Sequence, residues 1–239
     1  EFGFGRRIGV GHPAEGAGIV PAADQWTPSD LAAAAIGTHQ SGTALQLWAA
    51  YNVIANGGRY VQPRLVDSII GPDGRREPVR GEPPRRVISE ATAEQVGGML
   101  EEVVEDGTGS LWKLPGYSVA AKTGTSRMLS DTGGIDGDPY MWSDWRHHYL
   151  AAFTGYLPAD RPEVSITVIL SDVNDGLTGS TGAGPAFSDL AKLSIRELGI
   201  APSHLADGLS RAADEGRRYR AAPAPAPART AEDEEQEEG

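Results

Sequence analysis

Residues 120–126 read Ala-Ala-Lys-Thr-Gly-Thr-Ser, "AAKTGTS", and the rest of the chain is interpreted outward from them. A small apolar run passes into a lysine, two threonines and a glycine. The segment is therefore either a strand running into a turn or one wall of an acyl-transfer site. On an extended backbone successive side chains alternate between faces, which puts the hydroxyls of Thr123 and Thr125 on one side and Lys122 and Gly124 on the other. Two hydroxyls so placed can converge on one carboxylate. The lysine supplies a positive field, and the glycine lets another element approach the backbone closely. A backbone N–H just past the glycine can stabilise a developing oxyanion. Taken alone, the four residues KTGT are more simply a strand end with a tight glycine turn.

The flanking sequence supports a strand. "GYSVAAKTGT" is strand-like, and "HYLAAFTGYLP" is apolar on both faces, as a central strand would be. "EVSITVILSDV" puts Val164, Ile166, Val168 and Leu170 on one face with Ser165 and Thr167 on the other. "LPADRP" carries turn chemistry between the second and third of these strands, so they are expected to pair antiparallel. A last helix is expected from Pro185 to Leu198, stopped by Gly199. Upstream, "TPSDLAAAAIG" opens with Thr27 as N-cap, Pro28 at the first helical position and Asp30 in a capping-box place. "TALQLWAAYNVIANGG" predicts a helix from Thr43 to Gly57-Gly58, with Leu47, Tyr51 and Ile54 on one stripe. "SEATAEQVGGMLEEVVEDG" predicts a helix capped by Ser89 and ended by Gly107. Its Val96, Met99, Leu100, Val103 and Val104 recur at three- and four-residue spacing, an amphipathic face. Between these helices "RLVDSII" and the turn signals "GPDG" and "EPP" predict a small hairpin within 59–88. Helices, then a meander of strands, then a closing helix predict an α+β domain, a mainly antiparallel sheet flanked by helices.

Composition sets the limits. The 239 residues are 39% hydrophobic and 23% charged, as in a globular protein with a sizeable core. The longest small apolar run, Leu31 to Ile36, is far short of a membrane span. There are no cysteines, which excludes disulfide and thiolate chemistry and suits an extracytoplasmic setting. The formal charge is −12, but six acids lie in the last eight residues, so the remainder is only mildly acidic. No basic patch is dense enough for nucleic acid; Arg75-Arg76 and Arg217-Arg218 with Arg220 read as solvated loop charges. The chain is expected to divide at about residue 203. The segment 203–239, with its Ala-Pro spacer and acidic run, is too polar and proline-rich to form a core and is expected to be disordered. The opening "EFGFGRRIGVGHP" reads like the middle of a domain, which leads one to expect a fragment.

"KTGT" resembles the third motif of the penicillin-binding transpeptidases and serine β-lactamases. The likeness extends through "FGFGRRIGVGHPAEGAGIVP", "TALQLWAAYNVIANGGRYVQPRLV", "DGTG", "AAKTGTS", "AAFTGYLPADRPEVSITVIL" and "GAGPAF", in the order seen in class B penicillin-binding proteins, over residues 2–202. The resemblance implies that Lys122 belongs to the catalytic hydrogen-bond network beside the nucleophile. It further implies that Thr123, Gly124 and Thr125 bind the substrate. The two hydroxyls would hold the carboxylate of a stem peptide or β-lactam, and the Thr125 N–H would serve as one oxyanion donor. Ala121 stands where relatives usually have glycine. The implied reaction is D,D-transpeptidation of peptidoglycan, serine acylation by a D-alanyl-D-alanine peptide followed by transfer to an amine. No metal or organic cofactor is implied. The implied partners are the stem peptide, β-lactams and cell-wall synthesis or division proteins, at the outer face of a membrane reached through an anchor elsewhere in the parent.

The family's Ser-x-x-Lys and Ser-x-Asn motifs precede the glycine-rich segment that opens this chain. A hydroxyl is a poor nucleophile without a base, so both motifs matter. No Ser-x-Asn occurs here, and "SLWK", Ser110 to Lys113, is the literal Ser-x-x-Lys match. "SLWK" ends only nine residues before Lys122, between the "DGTG" helix end and the strand, so Ser110 is expected on a connecting loop and is rejected as nucleophile; "SDVN", Ser171 to Asn174, has one residue too many. A truncated or split transpeptidase is therefore expected to be inactive alone. The alternatives are a non-catalytic sensor or docking module and a related β-lactamase or carboxypeptidase. His147-His148, beside Trp142 and Trp145 in "PYMWSDW", read as surface or rim residues, since neighbouring side chains diverge and no ligand spacing completes a metal site; the aromatic cluster could line the cleft. His39 has no assigned role, and "GVGHPAEGAG" lacks a phosphate-loop pattern.

Overall fold

The fold grows from caps and periodicity in the order the chain supplies them. The computed structural model describes residues 1–38, 40–173 and 176–203. Helix α1, Pro28–Ala35, starts at the expected capping box, with the Thr27 hydroxyl and the Asp30 carboxylate exchanging hydrogen bonds with each other's backbone N–H. Helix α2, Ala44–Ala55, has the same device between Thr43 and Gln46. A two-stranded ladder pairs β1, Arg59–Tyr60, with β4, Arg85–Arg86. Between them β2, Ser68–Ile70, and β3, Arg76–Pro78, form the expected hairpin around "GPDG". Helix α3, Glu90–Glu105, is capped by Ser89. Strands β5, Ala120–Arg127, β6, Tyr149–Leu157, and β7, Val164–Val173, form a fully antiparallel sheet in that order. Helix α4, Gly184–Leu198, ends at Gly199, whose φ of 65° is the left-handed cap that glycine adopts without strain. No helix among the described residues is long and apolar enough to cross a membrane.

Register decides which side chains share a face. Lys122 lies opposite Thr154, which lies opposite Thr167; Thr123 lies opposite Phe153, which lies opposite Val168. The Thr123 face is therefore the one α4 covers. Phe153 and Phe187 meet with ring centroids 4.4 Å apart, among Val104, Leu157, Ile166, Val168 and Ala191. The opposite face, carrying Ala120, Lys122 and Tyr156, packs against α2 and α3 through Tyr51, Ile54, Val96 and Leu100. A third cluster, Ile8, Ala49, Val53 and Tyr60, ties the glycine-rich opening to α2.

Two expectations are corrected here. The stripe Leu47, Tyr51 and Ile54 is only partly buried, and the fully buried face of α2 is Gln46, Ala49, Ala50 and Val53. The helix is sandwiched between two clusters, and Gln46 and Val53, with Ala49, sit deepest, while Tyr51 and Ile54 pack at the edge of one of them. Met99 of α3 is exposed, and the buried positions are Ala93, Leu100 and Val104. Gln46 is fully buried and satisfied: its Oε1 accepts the Thr43 N–H at 2.9 Å, and its Nε2 faces the carbonyls of Gly3, Arg6 and Ala17 at 3.1, 2.8 and 2.8 Å. In the glycine-rich opening the Ile8, Gly9 and Val10 N–H groups point at the Glu15 carboxylate, so this anion-binding turn is filled by the chain's own side chain. Arg75 and Arg76 form exposed ion pairs with Asp73 and Asp67, as solvated charges do. His39, Asn174, the Arg217-Arg218-Arg220 group and the tail after Ser203 lie outside the described residues. Ser203 itself is hydrogen-bonded to Ser118 and Gly116.

Candidate active site

Among the described residues strand β5 is an outer strand, paired only with β6, and its middle carries the lysine and both threonines. Lys122 is exposed, with Nζ donating to the Thr123 carbonyl at 2.8 Å. Ala120 and Ala121, fully buried on opposite faces, anchor the strand just before it. The alternation expected from the sequence holds, but the two hydroxyls do not simply converge. Thr123 Oγ1 lies 2.6 Å from Thr108 Oγ1, the threonine of "DGTG" after α3. Thr125 Oγ1 accepts the Gly179 N–H at 2.9 Å, from the turn that leads into α4. Each hydroxyl is thus held by a different element.

The close approach expected at Gly124 is made by another glycine. A Cβ on Gly124 would meet only the Ala152 methyl, at an ordinary 3.7 Å. A Cβ on Gly179 would lie 2.5 Å from the Gly124 carbonyl oxygen, 2.7 Å from the Gly124 nitrogen, and against the Ala152 carbonyl. The π turn Gly179–Ala183 sits directly on the backbone of β5 and β6, and only a residue without a side chain fits there.

The Lys122 face holds two threonines, on β6 and β7, beside its apolar cluster of Ala120, Tyr156 and Leu100. Thr154 and Thr167 bury their hydroxyls with no hydrogen-bond partner among the described residues, Thr154 at 2% exposure. Unpartnered buried hydroxyls are uncommon, because each forfeits its hydrogen bond to water. Next along β6, burial pushes the Tyr156 hydroxyl up to about 12, with the nearby Glu101 carboxylate adding to the shift. Burial likewise raises Glu101 above the usual carboxylate range, with repulsion from Asp160 next in size.

Ser110 opens a 3-10 turn, Ser110–Trp112, and Lys113 pairs with Glu105 at 2.9 Å. The literal Ser-x-x-Lys match therefore sits on a connecting turn with its lysine engaged elsewhere. The segment 128–148 between β5 and β6 is tied back on itself. His147 Nε2 is 2.9 Å from Asp138 Oδ2. The His148 ring lies between Asp172, bonded to Nδ1, and Asp144, 3.2 Å from Nε2, and stacks on Trp142 with centroids 4.4 Å apart. Partial desolvation opposes protonation of His148, but the hydrogen bonds that its ring nitrogens donate to Asp172 and Asp144 when protonated outweigh it and raise its pKa. The hydrogen bond from His147, then that from the Tyr140 N–H, lowers Asp138. No group of histidine and acidic residues among the described residues could hold a metal ion. Sequence reasoning missed Gly179, Trp112, Gln46 and the Thr154–Thr167 pair. "GAGPAF" and "SLWK" drew attention to the right neighbourhoods, but contacts between distant elements leave no periodic signal.

Residues 1–192 match the family model described as the penicillin binding protein transpeptidase domain, and the chain belongs to this family. It is 37% identical over 204 residues to the penicillin-binding protein PbpB of Mycobacterium tuberculosis, covering 80% of this chain and 28% of that protein. It is 30% identical over 205 residues to the stage V sporulation protein D of Bacillus subtilis, covering 84% of this chain and 30% of that one. Among solved structures, penicillin-binding protein 3 of Mycobacterium tuberculosis complexed with ampicillin superposes with a TM-score of 0.73 at 35% identity, over 84% of this chain and 45% of that one. The same protein complexed with aztreonam gives 0.73 at 33% identity. The chain thus spans less than a third of the first curated relatives and under half of these solved ones.

Proposed function

We propose that residues 1–202 supply the lysine-threonine wall of a peptidoglycan D,D-transpeptidase site, at which β-lactams act as mimics of the donor peptide. The observation that carries this reading is the display on one outer strand of an exposed ammonium at Lys122 and two braced hydroxyls at Thr123 and Thr125. An anionic peptide end laid along this edge meets a positive field and two hydroxyls before it forms any other contact. Lys122 holds and moves protons beside the nucleophile; Thr123 and Thr125 orient the carboxylate; the Thr125 N–H faces the developing oxyanion. The nucleophilic serine comes from polypeptide outside these 239 residues, since Ser110 lies on a turn whose lysine is paired with Glu105. The relatives complexed with ampicillin and aztreonam support β-lactams as ligands. A cell-wall setting on the outer face of the membrane follows from the same family, with wall-synthesis or division proteins as partners. The segment from 203 onward takes no part in this wall.

The test uses the longer protein that contains this chain. Lys122→Ala should slow acylation by fluorescent penicillin by about 100-fold or more, the scale on which one stabilising group in a transition state counts. Loss of residues 204–239 should leave the rate unchanged. The 239-residue chain alone should take no covalent label. Equal rates for Lys122→Ala and the unmodified protein, or labelling of the short chain that disappears in Ser110→Ala, would contradict the reading.

A further inference from the structure

The "SLWK" turn carries a tryptophan whose contacts lead to Thr125. Trp112 Nε1 donates to the Ser180 carbonyl at 2.9 Å. Its ring also lies flat against Gly184, where a Cβ would come within 2.5 Å of the indole Cδ1 and Cε2. Ser180 is the second residue of the π turn and Gly184 follows its last; the first residue, Gly179, donates to Thr125 Oγ1. The rest of the turn is closed locally. Thr178 N donates to Thr181 Oγ1 at 2.9 Å, Thr181 N to Thr178 Oγ1 at 3.2 Å, and Gly182 N to the Thr178 carbonyl at 2.7 Å. Among the described residues, the turn thus accepts a hydrogen bond from one distant side chain, the indole latch, and gives one to β5 through the Gly179 N–H.

The consequence for Thr125 is directional. A threonine hydroxyl has one proton and two lone pairs. With one lone pair taken by the Gly179 N–H, the proton is turned away from that turn and is available to a ligand, while one lone pair stays open. We propose that Trp112 is a positioning residue which, through Ser180 and Gly179, turns the Thr125 hydroxyl proton toward the ligand, where its charge-assisted hydrogen bond to a free carboxylate is stronger than that to the carbonyl of a terminal amide, so that the site favours peptides ending in a free carboxylate. The proposal rests on the reading of Thr125 as a carboxylate ligand. It also gives the Ser-x-x-Lys look-alike a role: its third residue holds the wall that the motif itself cannot serve.

The test uses the 239-residue chain, ¹⁵N-labelled, with N-acetyl-D-alanyl-D-alanine and its C-terminal amide as probes. In the unmodified chain the Gly179 amide should exchange slowly, and the carboxylate probe should bind about tenfold tighter than the amide, the scale of one hydrogen bond to a charged group. Trp112→Phe keeps an aromatic ring but deletes the donor. It should speed exchange of the Gly179 amide at least tenfold and reduce the carboxylate preference to near one. The amides of Ala151 and Phe153 and the affinity for the amide probe should not change. Gly184→Ala, which displaces the indole while leaving it present, should shift both readouts the same way, and in a Thr125→Val background Trp112→Phe should have no further effect on the preference. A Gly179 amide indifferent to Trp112→Phe, or a carboxylate preference that survives its exposure, would overturn the latch. A Gly179 amide that responds as expected in a chain with no carboxylate preference at all would instead overturn the reading of Thr125 as a carboxylate ligand, and with it the proposed selectivity.

Discussion

The two faces of the β5–β6–β7 sheet are built on opposite principles. Toward α4 the strands present Phe153, Ile166 and Val168, which meet Phe187 and Ala191 in a dry, closely packed layer. Toward α2 and α3 the same strands present Lys122, Thr154 and Thr167, an exposed ammonium beside two buried hydroxyls that lack partners. The first face is stabilised by apolar area removed from water on β6 and β7, and at its β5 edge it carries Thr123 and Thr125. The second keeps polar groups at a cost of lost hydrogen bonds. Such groups are worth keeping at a working surface and not in a structural one. The lysine and the two threonines of the proposed site thus lie on opposite sides of β5, each beside a different packed layer.

The largest effect expected is on the apolar side. Phe187→Ala should destabilise the chain by about 3–5 kcal/mol, the range for deleting a buried aromatic ring, measured by chemical denaturation. A loss under about 1 kcal/mol would mean that α4 does not hold the sheet. By contrast Lys122→Ala, exposed on the other side, should change stability by less than about 0.5 kcal/mol in the same assay. Gln46→Leu comes next. It strands the Gly3, Arg6 and Ala17 carbonyls and the Thr43 N–H that the amide now serves, and should cost about 1–3 kcal/mol. The glycine-rich opening should then exchange its amides faster than α2 does. Thr154→Val sharpens the comparison in the opposite direction. Replacing an unpartnered buried hydroxyl by a methyl of the same shape should be neutral or raise stability by up to about 1 kcal/mol. A clear loss would show that the hydroxyl has a partner in solution.

The reading from sequence succeeded where one local rule decided the outcome. Thr27, Thr43 and Ser89 cap their helices because their side chains reach N–H groups three residues on, and Gly199 ends α4 because it takes the left-handed conformation. The antiparallel meander was legible from "LPADRP" and from alternation along β7. Burial within helices was less so. Periodicity named Leu47 and Met99, whereas α2 is gripped from two sides and buries Gln46, Ala49 and Val53, and Met99 faces solvent. At the site, KTGT located the strand and the alternation of its side chains. It could not reveal that Thr108 and Gly179 brace the two hydroxyls, because those contacts join residues 15 and 54 positions apart.

The smallest effect expected is a pH dependence of the 128–148 segment, which borders the site without belonging to either face. His148 has a raised pKa in the folded chain, so its contribution to order is fully present below its ordinary value of 6.5 and is lost as pH rises through the higher folded value. Asp138 and Asp144 are depressed, so their contribution is present above the ordinary carboxylate value of 3.8 and is lost as pH falls through the lower folded values. The His148 ring protons, followed by NMR, should titrate with a midpoint above 6.5, and amides of 138–148 should lose protection over that rise while β6 keeps its own. A midpoint at or below 6.5 would mean that the carboxylate clamp is not formed in solution.

The central claim, that β5 reads an anionic peptide end, is tested most directly by a crystal structure of the longer protein acylated with ampicillin. The account predicts the β-lactam carboxylate within about 3 Å of Thr123 or Thr125 Oγ1, with Thr125 still accepting the Gly179 N–H and Lys122 beside the acylated serine. A carboxylate held by other residues, with the β5 hydroxyls unoccupied and Lys122 turned away from the serine, would contradict it.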